Sequence, residues 1–527
     1  SSSPRSRAPP RASIVRGMRY WSRLAAAAGG GAVLVLAALK LAAHLLTTGR
    51  FGYGFFVDEL LFLACAEHLD WGFVDMPPLL PAVTALVRAT LGDSLLAVRT
   101  LPAVLGAALV VATGALAKAL GGGRWASALA ALGVVTAPIY LALHSYHSMN
   151  AIEPLLFLGC LLVVLRLQGG GDPRWWLAFG ALAGLGLMNK TTMLLFGFAL
   201  VAALAATRER RLLATRWFWA GGAVAAAIWM PNILWMVRHH FPHLELLANI
   251  RAHRRDVSLD PLGFLGYQAL QIHPLAVPLA LLGLGYLLFH REGRRYRAVG
   301  LTFAIALGVL LAVHGRPYYL APAYPIVLAG GAVALERARW SWLPGACAAL
   351  LAVGGVLIAP TVLPCLPPQG YLRYAQALHI EQPRVENHRL GPLPQLFADR
   401  FGWPEMAAEV ARIYQALPAQ ERARAAVFGQ NYGQAGAIDL FGPRLGLPKA
   451  ISGHLTYHYW GPRQYTGEVV IVMDDDRETL ERLFEQVERA GAVSHPYSMP
   501  YQHFDVFVCR RLRRPLGELW PELKKFN

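Results

Sequence analysis

The sequence predicts an α-helical polytopic membrane protein with about eleven transmembrane helices and a small soluble α/β domain at its C-terminus. Of its 527 residues, 55% are hydrophobic and only 15% are charged, and the mean hydropathy of +0.39 exceeds what a soluble domain of this size needs. Apolar segments of about twenty residues recur up to residue 360, each long enough to cross ~30 Å of hydrocarbon. After Pro364 the charge rises and short β-like runs alternate with amphipathic stretches.

The N-terminus predicts a cytoplasmic tail followed by an anchor. Residues 1–23 are rich in Ser, Pro and Arg, which is typical of a disordered tail. The apolar stretch that follows, 24–46, is too long for the core of a signal peptide, so we expect it to remain as the first span.

The remaining spans follow from the same criterion. We place them near 95–117, 125–143, 151–167, 175–189, 192–206, 217–236, 272–289, 298–314, 319–335 and 341–360. Lys and Arg cluster in the loops that this order puts on the side of the N-terminus, as they do on the cytoplasmic side of inner-membrane proteins. The sequence thus predicts a multi-pass protein of the cytoplasmic membrane, with a transmembrane region at 24–362 and an outer domain at 366–527.

Charge and cysteine content narrow the class further. The net charge of +17 arises mainly from basic residues beside apolar runs, which argues for topology signals and against a nucleic-acid partner. The five cysteines form no metal-ligand spacing. Cys365 and Cys509 both fall in the outer region and could pair, although unpaired structural roles are the simpler interpretation.

The first outer loop contains two apolar stretches, 60–69 and 79–91, that are too short to span a membrane. We expect them to be interfacial helices within residues 58–92. Asp58 and Glu59 stand at the start of the first helix. A carboxylate beside a membrane is costly unless it is solvated, paired or used. Asp58 could cap the helix, or it could serve as a general base that takes a proton from an acceptor hydroxyl.

A family resemblance favours the second interpretation. The Asp58-Glu59 pair after the first span, followed by the sequence His-Leu-Asp-Trp-Gly-Phe-Val-Asp-Met-Pro-Pro-Leu at 68–79, resembles the first outer loop of the protein O-mannosyltransferases and lipid A aminoarabinose transferases (glycosyltransferase families 39 and 83). The resemblance implies the GT-C fold and a polyprenyl-phosphate sugar as donor. It also implies that Asp58 is the base and Glu59 its companion.

Further residues take their expected roles from the same resemblance. Asp75 resembles an acid that can contact a metal in the aminoarabinose transferases, and we group it with the residues of the acceptor site or the cavity, although a turn-capping role is an equal alternative. Glu153 resembles the acid that lines the active cavity at the start of the fourth span, and we group it with the catalytic residues. The basic outer loop at 238–260 could add His243 to a metal with Asp75.

The outer ends of other spans supply polar groups. His144 and His147 are three residues apart and could share a helical face towards the acceptor or the cavity, although two histidines alone are weak metal ligands. Lys190 and Arg316 lie at outer span ends, where basic residues are disfavoured without a purpose. The resemblance implies that Lys190, Arg316 and Tyr319 bind the donor phosphate, which a guanidinium can hold in a bidentate way.

The outer domain is predicted to have strands at 425–428, 469–473 and 504–509 and helices at 405–417 and 477–490. A turn at 431–439 follows the first strand and opens a helix. The aromatic residues between His454 and Trp460 could stack on a sugar or form a buried cluster.

These features predict an inverting transfer of a sugar from a polyprenyl-phosphate donor to an acceptor on the outer membrane face. The acceptor is a glycolipid, a glycan or a protein of the cell envelope, and membrane lipids are further partners. The sequence identifies no certain cofactor and leaves a divalent metal open. The alternative is a transporter or flippase for a lipid-linked sugar, which would instead show inverted repeats and charges near the middle of the membrane.

Overall fold

A computed structural model of the chain describes residues 30–253, 257, 259–382, 387 and 389–527. The predicted cytoplasmic tail at 1–23 and the beginning of the predicted first span lie outside these residues.

The membrane region is built from helices, and every predicted span has a helical counterpart. These helices are α1 (Gly31–Thr47), α2 (Val57–Glu67), α3 (Leu79–Leu91), α4 (Leu95–Ala119), α5 (Arg124–Thr136), α6 (Pro138–Leu143), α7 (Met149–Gln168), α8 (Trp175–Asn189), α9 (Met193–Ala205), α10 (Arg216–Arg238), α11 (Pro242–Ala252), α12 (Pro261–Ile272), α13 (Val277–Phe289), α14 (Arg297–Ala312), α15 (Tyr324–Glu336) and α16 (Leu343–Val362). The prediction of a polytopic helical membrane protein is confirmed.

Helix length sets a lower figure for the spans than the sequence did. Within the described ranges, six helices are long and apolar enough to cross a membrane, or seven if α12 and α13, which meet at 97°, form one broken span. Several other apolar helices have only 10–17 residues. The predicted span at 125–143 breaks between α5 and α6 because the residue before Pro138 is extended. The figure of eleven spans stays a prediction.

Glycines allow close contact between neighbouring helices. A Cβ atom on Gly283 of α13 would lie 2.0 Å from the carbonyl oxygen of Val327 on α15, and one on Gly331 would lie 2.0 Å from that of Leu279. The two backbones approach too closely for any side chain at these positions, as in helix pairs of other membrane proteins. This contact belongs to the apolar core of the membrane region.

The C-terminal domain is a small α/β unit. We call it the outer domain after the position that the sequence predicts for it, which stays a prediction. Its elements are α17 (Pro368–Ala377), α18 (Gln395–Ala398), α19 (Trp403–Ala416), α20 (Ala419–Arg422), β1 (Ala425–Phe428), α21 (Tyr432–Phe441), α22 (Thr456–Trp460), β2 (Val469–Met473), α23 (Arg477–Leu483), β3 (Phe484–Val493), β4 (Phe504–Leu512) and α24 (Leu516–Leu519). The strand order is β1-β2-β4-β3, with β1 parallel to β2 and the other pairs antiparallel. In the register, Ile471 lies between Val427 and Val508.

One predicted element of this domain is wrong. The helix expected over 477–490 ends at Leu483, and the chain continues as the edge strand β3. The apolar spacing of the segment suits a helix, but pairing with β4 satisfies backbone groups that would otherwise remain open at the sheet edge. Tertiary pairing therefore overrides the local pattern.

Helix α2 joins the two regions. Its residues from Val57 to Ala66 are buried except for Asp58, which is half-buried. A Cβ atom on Gly436 of α21 would lie 2.9 Å from the backbone of Leu60, so α21 of the outer domain packs directly on α2. The position of α2 and α3 relative to the membrane surface stays a prediction. All five cysteines lie in the described ranges and are unpaired.

Candidate active site

Asp58 is in the first turn of α2 and faces the outer domain. The hydroxyl of Tyr432 donates a hydrogen bond of 2.7 Å to its Oδ1. Tyr432 begins α21, where the Asn431 side chain caps the helix by accepting a bond from the amide of Gln434. The ring of Tyr432 stacks on His454 with centroids 5.2 Å apart. A residue of the outer domain thus holds the carboxylate predicted to be the base.

Glu59 lies beside Asp58 but points into the protein and is fully hydrogen-bonded. Its oxygens accept bonds of 3.0 and 2.7 Å from the Arg99 guanidinium, and bonds of 2.7 and 2.8 Å from the amides of His147 and Phe56. Burial alone would raise the pKa of Glu59, but the charge and hydrogen bonds of Arg99, with the two amides, hold the pKa below its usual value. Glu59 is therefore an ionised link between α2, α4 and the 144–148 segment.

The two predicted cavity histidines do not share a helical face, because residues 144–148 form a turn. His144 Nδ1 lies 2.7 Å from the carbonyl oxygen of Tyr140, whereas His147 Nε2 lies 2.7 Å from Thr84 Oγ1. Burial lowers the pKa of His147 to about 4, against an opposing effect of Glu59. Both histidines are buried and bonded to different helices, so they do not form a metal-binding pair.

Glu153 and Lys190, which the sequence analysis treated separately, form an ion pair. Lys190 occupies the break between α8 and α9, and its ammonium lies 3.5 Å from Glu153 Oε2 on α7. A shorter bond of 2.7 Å runs from the ammonium to Asn150 Oδ1. The second oxygen of Glu153 accepts a hydrogen bond from the Thr192 hydroxyl. The Lys190 ammonium is thus held by a short bond to the amide oxygen of Asn150 and by a longer contact with the Glu153 carboxylate.

The other predicted phosphate ligands surround this lysine. Its ammonium lies 4.3 Å from the ring centroid of Tyr319 and 5.2 Å from that of Tyr318. Arg316 Nη1 donates a 3.3 Å bond to the Tyr318 hydroxyl. The fold therefore brings Lys190, Arg316 and Tyr319 into one cluster, although they come from two segments more than a hundred positions apart in the chain.

Tyr146 is close to both this cluster and Asp58. Its ring is 4.8 Å from that of Phe56, two residues before Asp58. Burial raises the pKa of Tyr146, and the negative charge of Asp58 and the neighbouring Tyr318 raise it further. The candidate base and the candidate phosphate ligands thus border one region of the structure.

A second contact anchors the outer domain near Asp58. The buried Arg400 donates a 2.8 Å bond to the hydroxyl of Ser145, and its carbonyl oxygen accepts a 3.0 Å bond from the amide of Gly54. The loop that precedes Asp58 and the turn that precedes Tyr146 are thus both tied to the same segment of the outer domain.

Asp75 is a largely buried carboxyl whose surroundings bear on the predicted metal site. Burial raises the pKa of its carboxyl to about 7, with a further contribution from Asp58. Its Oδ1 is shielded from solvent and lacks a hydrogen-bond partner, although the residue as a whole is partly exposed. His243 directs Nδ1 to the carbonyl oxygen of Val74 at 3.3 Å. Among the described residues, no three His, Cys, Asp or Glu side chains group as metal ligands, so Asp75 and His243 do not complete a metal site there.

Sequence reasoning missed several residues of the site. Arg99 could have been found, because a charged residue inside an apolar span calls for a partner. Thr192 and Tyr318 are close in sequence to residues that were identified. Tyr146 and Tyr432 carried no signal, since only the folded chain brings them to Asp58.

Comparisons with known proteins agree with this architecture. Residues 75–235 match the family model described as dolichyl-phosphate-mannose-protein mannosyltransferase. The structure is similar to that of ArnT from Cupriavidus metallidurans bound to undecaprenyl phosphate, with a TM-score of 0.60, 16% identity, and coverage of 90% of this chain and 97% of that chain. The apo state of the same protein gives a TM-score of 0.59 at 15% identity over the same shares. No curated protein sequence matches the chain significantly.

The structural similarity confirms the predicted GT-C fold, and the match to a mannosyltransferase family model supports the predicted class of membrane glycosyltransferase. The family model covers the region from Asp75 to Trp235, and the structural similarity extends the fold over both the helical region and the outer domain.

Proposed function

We propose that this protein transfers a sugar from a polyprenyl-phosphate donor to an acceptor on the outer face of the cytoplasmic membrane, with inversion at the anomeric carbon. The GT-C fold and the undecaprenyl phosphate bound by the similar ArnT support a lipid-linked donor. The acceptor is a cell-envelope glycolipid, glycan or protein.

The observation that carries the proposal is the pair of complementary groups beside Tyr146. One is the half-buried carboxylate of Asp58, and the other is the pair of cations Lys190 and Arg316 with their tyrosines. A general base and an anion-binding cluster are the two groups that displacement of a phosphate needs.

The reaction follows from this arrangement. Asp58 takes the proton of an acceptor hydroxyl while the oxygen forms a bond to the anomeric carbon. The bond from that carbon to the phosphate oxygen breaks, and the polyprenyl phosphate leaves with the electron pair. Lys190 and Arg316 stabilise the charge of the leaving phosphate by hydrogen bonds, which are stronger when both partners are charged. A single displacement inverts the anomeric centre.

The remaining predicted residues take supporting roles in the proposal. Glu59 fixes α2 through Arg99 and so positions Asp58, rather than contacting the substrate. Glu153 orients Lys190. His144 and His147 shape the turn that bears Tyr146.

The test is reconstitution of the full-length protein in liposomes with undecaprenyl-phosphate-linked sugars and envelope extract as acceptor. We expect radiolabelled sugar to move from lipid to acceptor, with production of free undecaprenyl phosphate. Movement of intact donor between leaflets without transfer would identify a flippase and overturn the proposal.

A further inference from the structure

A cavity lies apart from the Lys190 cluster. Three parts of the molecule meet there: the first outer loop, the end of α10, and α22 of the outer domain. The volume of this cavity is about 300 Å³, at the lower end of the range of small-molecule sites. Its lining comes from three distant segments of the chain, namely residues 68–73, 235–239 and 456–460. The outer domain therefore forms one wall and the membrane region the others.

Aromatic rings dominate the lining. Trp460 stacks on His68 with centroids 4.3 Å apart, and Trp235 stacks on His239 at 4.1 Å. Tyr459 stands across the second pair, with its ring 5.1 Å from that of His239, and it is 39% exposed. The aromatic segment of the outer domain thus divides, because Tyr457 is buried and bonded to Asp439 whereas its neighbours line the cavity.

Polar groups lie at the edges of these rings. The exposed Asp70 accepts bonds of 2.7 Å from Trp235 Nε1 and from the amide of Trp71, one on each carboxylate oxygen. Each oxygen has a further lone pair for an outside donor. The hydroxyl of Thr456 accepts a 3.1 Å bond from the amide of Val74, which ties the cavity wall to the residue before Asp75.

The charge of the lining selects against an anion. Asp70 is the carboxylate of the cavity, and burial, followed by the charge of Arg463, lowers the pKa of His68, so that imidazole is neutral. Flat aromatic faces with hydrogen-bond acceptors at their edges suit a pyranose ring, which has apolar C–H faces and an equator of hydroxyl groups. A phosphate, in contrast, would meet the Asp70 carboxylate.

We propose that this cavity binds a neutral or amino sugar unit of the acceptor, with Trp460 and Tyr459 as stacking platforms and Asp70 as hydroxyl acceptor. That the bound sugar belongs to the acceptor rests on the proposed function, but the binding of a saccharide can be measured without any transfer. It gives the outer domain a part in choosing the acceptor.

The experiment uses saturation-transfer NMR on the detergent-purified full-length protein with chitobiose, mannobiose and maltose as probes. We expect at least one of the three to bind, and Trp460→Ala to weaken that binding about 2- to 10-fold, the effect of losing one aromatic contact. Trp460→Phe should retain most of the binding. Trp340→Ala removes an exposed tryptophan far along the chain from these segments and should leave binding unchanged.

Two further readouts separate this proposal from the proposed function. Asp58→Asn should bind the saccharide as the unaltered protein does, whether or not transfer survives. In the transfer assay, Trp460→Ala should raise the KM for acceptor and leave the KM for donor lipid unchanged, which a merely unstable variant would not do. Absence of binding to all three probes, or binding that is undiminished in Trp460→Ala, would overturn the assignment.

Discussion

Two buried ion pairs, Glu59 with Arg99 and Glu153 with Lys190, differ in their geometry. In the first pair the two side chains are 0% and 1% exposed and 2.7 Å apart, and two backbone amides complete the carboxylate. In the second pair the charged atoms are 3.5 Å apart, and the lysine is 11% exposed at its side chain. Both pairs lie beside the same turn at 144–148, yet only in the first is the carboxylate held by both a guanidinium and two backbone amides.

The difference separates a structural link from a binding site. The Glu59 carboxylate accepts four hydrogen bonds within the protein, so it has little capacity left for a ligand. Lys190 instead faces two tyrosine rings and a single short bond to Asn150, so its ammonium retains donors for a phosphate. Adjacent carboxylates follow the same division, because Asp58 is half-buried whereas Glu59 is closed off.

The largest effect is expected from breaking the complete pair. Glu59→Ala leaves the Arg99 guanidinium buried without its partner, which should lower the free energy of unfolding by about 3–5 kcal/mol. Thermal unfolding of the purified protein measures it. Glu485→Ala, which breaks an exposed pair with Arg511, is the control and should cost at most about 1 kcal/mol. If Glu59→Ala unfolds at the temperature of the unaltered protein, the structural role is wrong.

A change in the second pair, Glu153 with Lys190, should alter the affinity for the donor lipid rather than the stability of the protein. Lys190→Met removes a charged hydrogen bond to the phosphate, worth about 1.5–3 kcal/mol, so the Kd for undecaprenyl phosphate should rise roughly 10- to 100-fold. Titration calorimetry in detergent measures this change. Lys118→Met, an exposed lysine in the last turn of α4, should bind the lipid as before. Unchanged binding in Lys190→Met would remove the lysine from the donor site.

A smaller effect is expected where the outer domain contacts the base. Tyr432→Phe removes the hydroxyl that holds Asp58, which is worth about 0.5–1.5 kcal/mol and should lower kcat roughly 2- to 10-fold. The KM for donor should not change. Tyr414→Phe loses a hydroxyl bond to the Arg422 carbonyl within the same domain and serves as the control. Equal rates for both variants would show that the contact with Asp58 is unimportant.

The smallest effect on stability is expected at Asp75, whose carboxyl is buried. Its pKa rises from the usual 3.8 to about 7 on burial, so the folded protein prefers the neutral acid. Its contribution to stability is therefore complete below about pH 4 and is lost as the pH rises towards 7. Asp75→Asn cannot ionise, so its melting temperature should exceed that of the unaltered protein by roughly 1–3 °C at pH 8. No relative gain between pH 5 and pH 8 would contradict the assignment.

Much of the fold could be predicted because hydrophobic length and charge bias act locally. The apolar runs and the strands β1 and β2 follow directly from composition and pattern. The strand β3 could not be predicted, because its helical spacing yields to pairing with β4. The break at Pro138 had a local signal in the proline itself, although residues 125–143 were predicted as one span.

The site divides in the same way. Lys190, Arg316 and Asp58 were found because charged residues at the ends of apolar spans need a reason to be there. The contact between Tyr432 and Asp58 joins residues 374 positions apart, so no local pattern could reveal it. The sequence also could not show that Glu59 pairs with the buried Arg99 whereas Asp58 faces the outer domain, since both are acids in one helical turn.

The most direct test is the single-turnover rate of sugar transfer in Asp58→Asn, measured with saturating donor lipid and compared with Asp93→Asn, an acid of the same outer loop that pairs with Arg88. We expect Asp58→Asn to bind undecaprenyl phosphate normally but to transfer sugar about 10²- to 10⁴-fold more slowly, which is the usual contribution of a general base. Asp93→Asn should transfer sugar at the rate of the unaltered protein. Transfer by Asp58→Asn at the rate of the unaltered protein would contradict the assignment of Asp58 as the base.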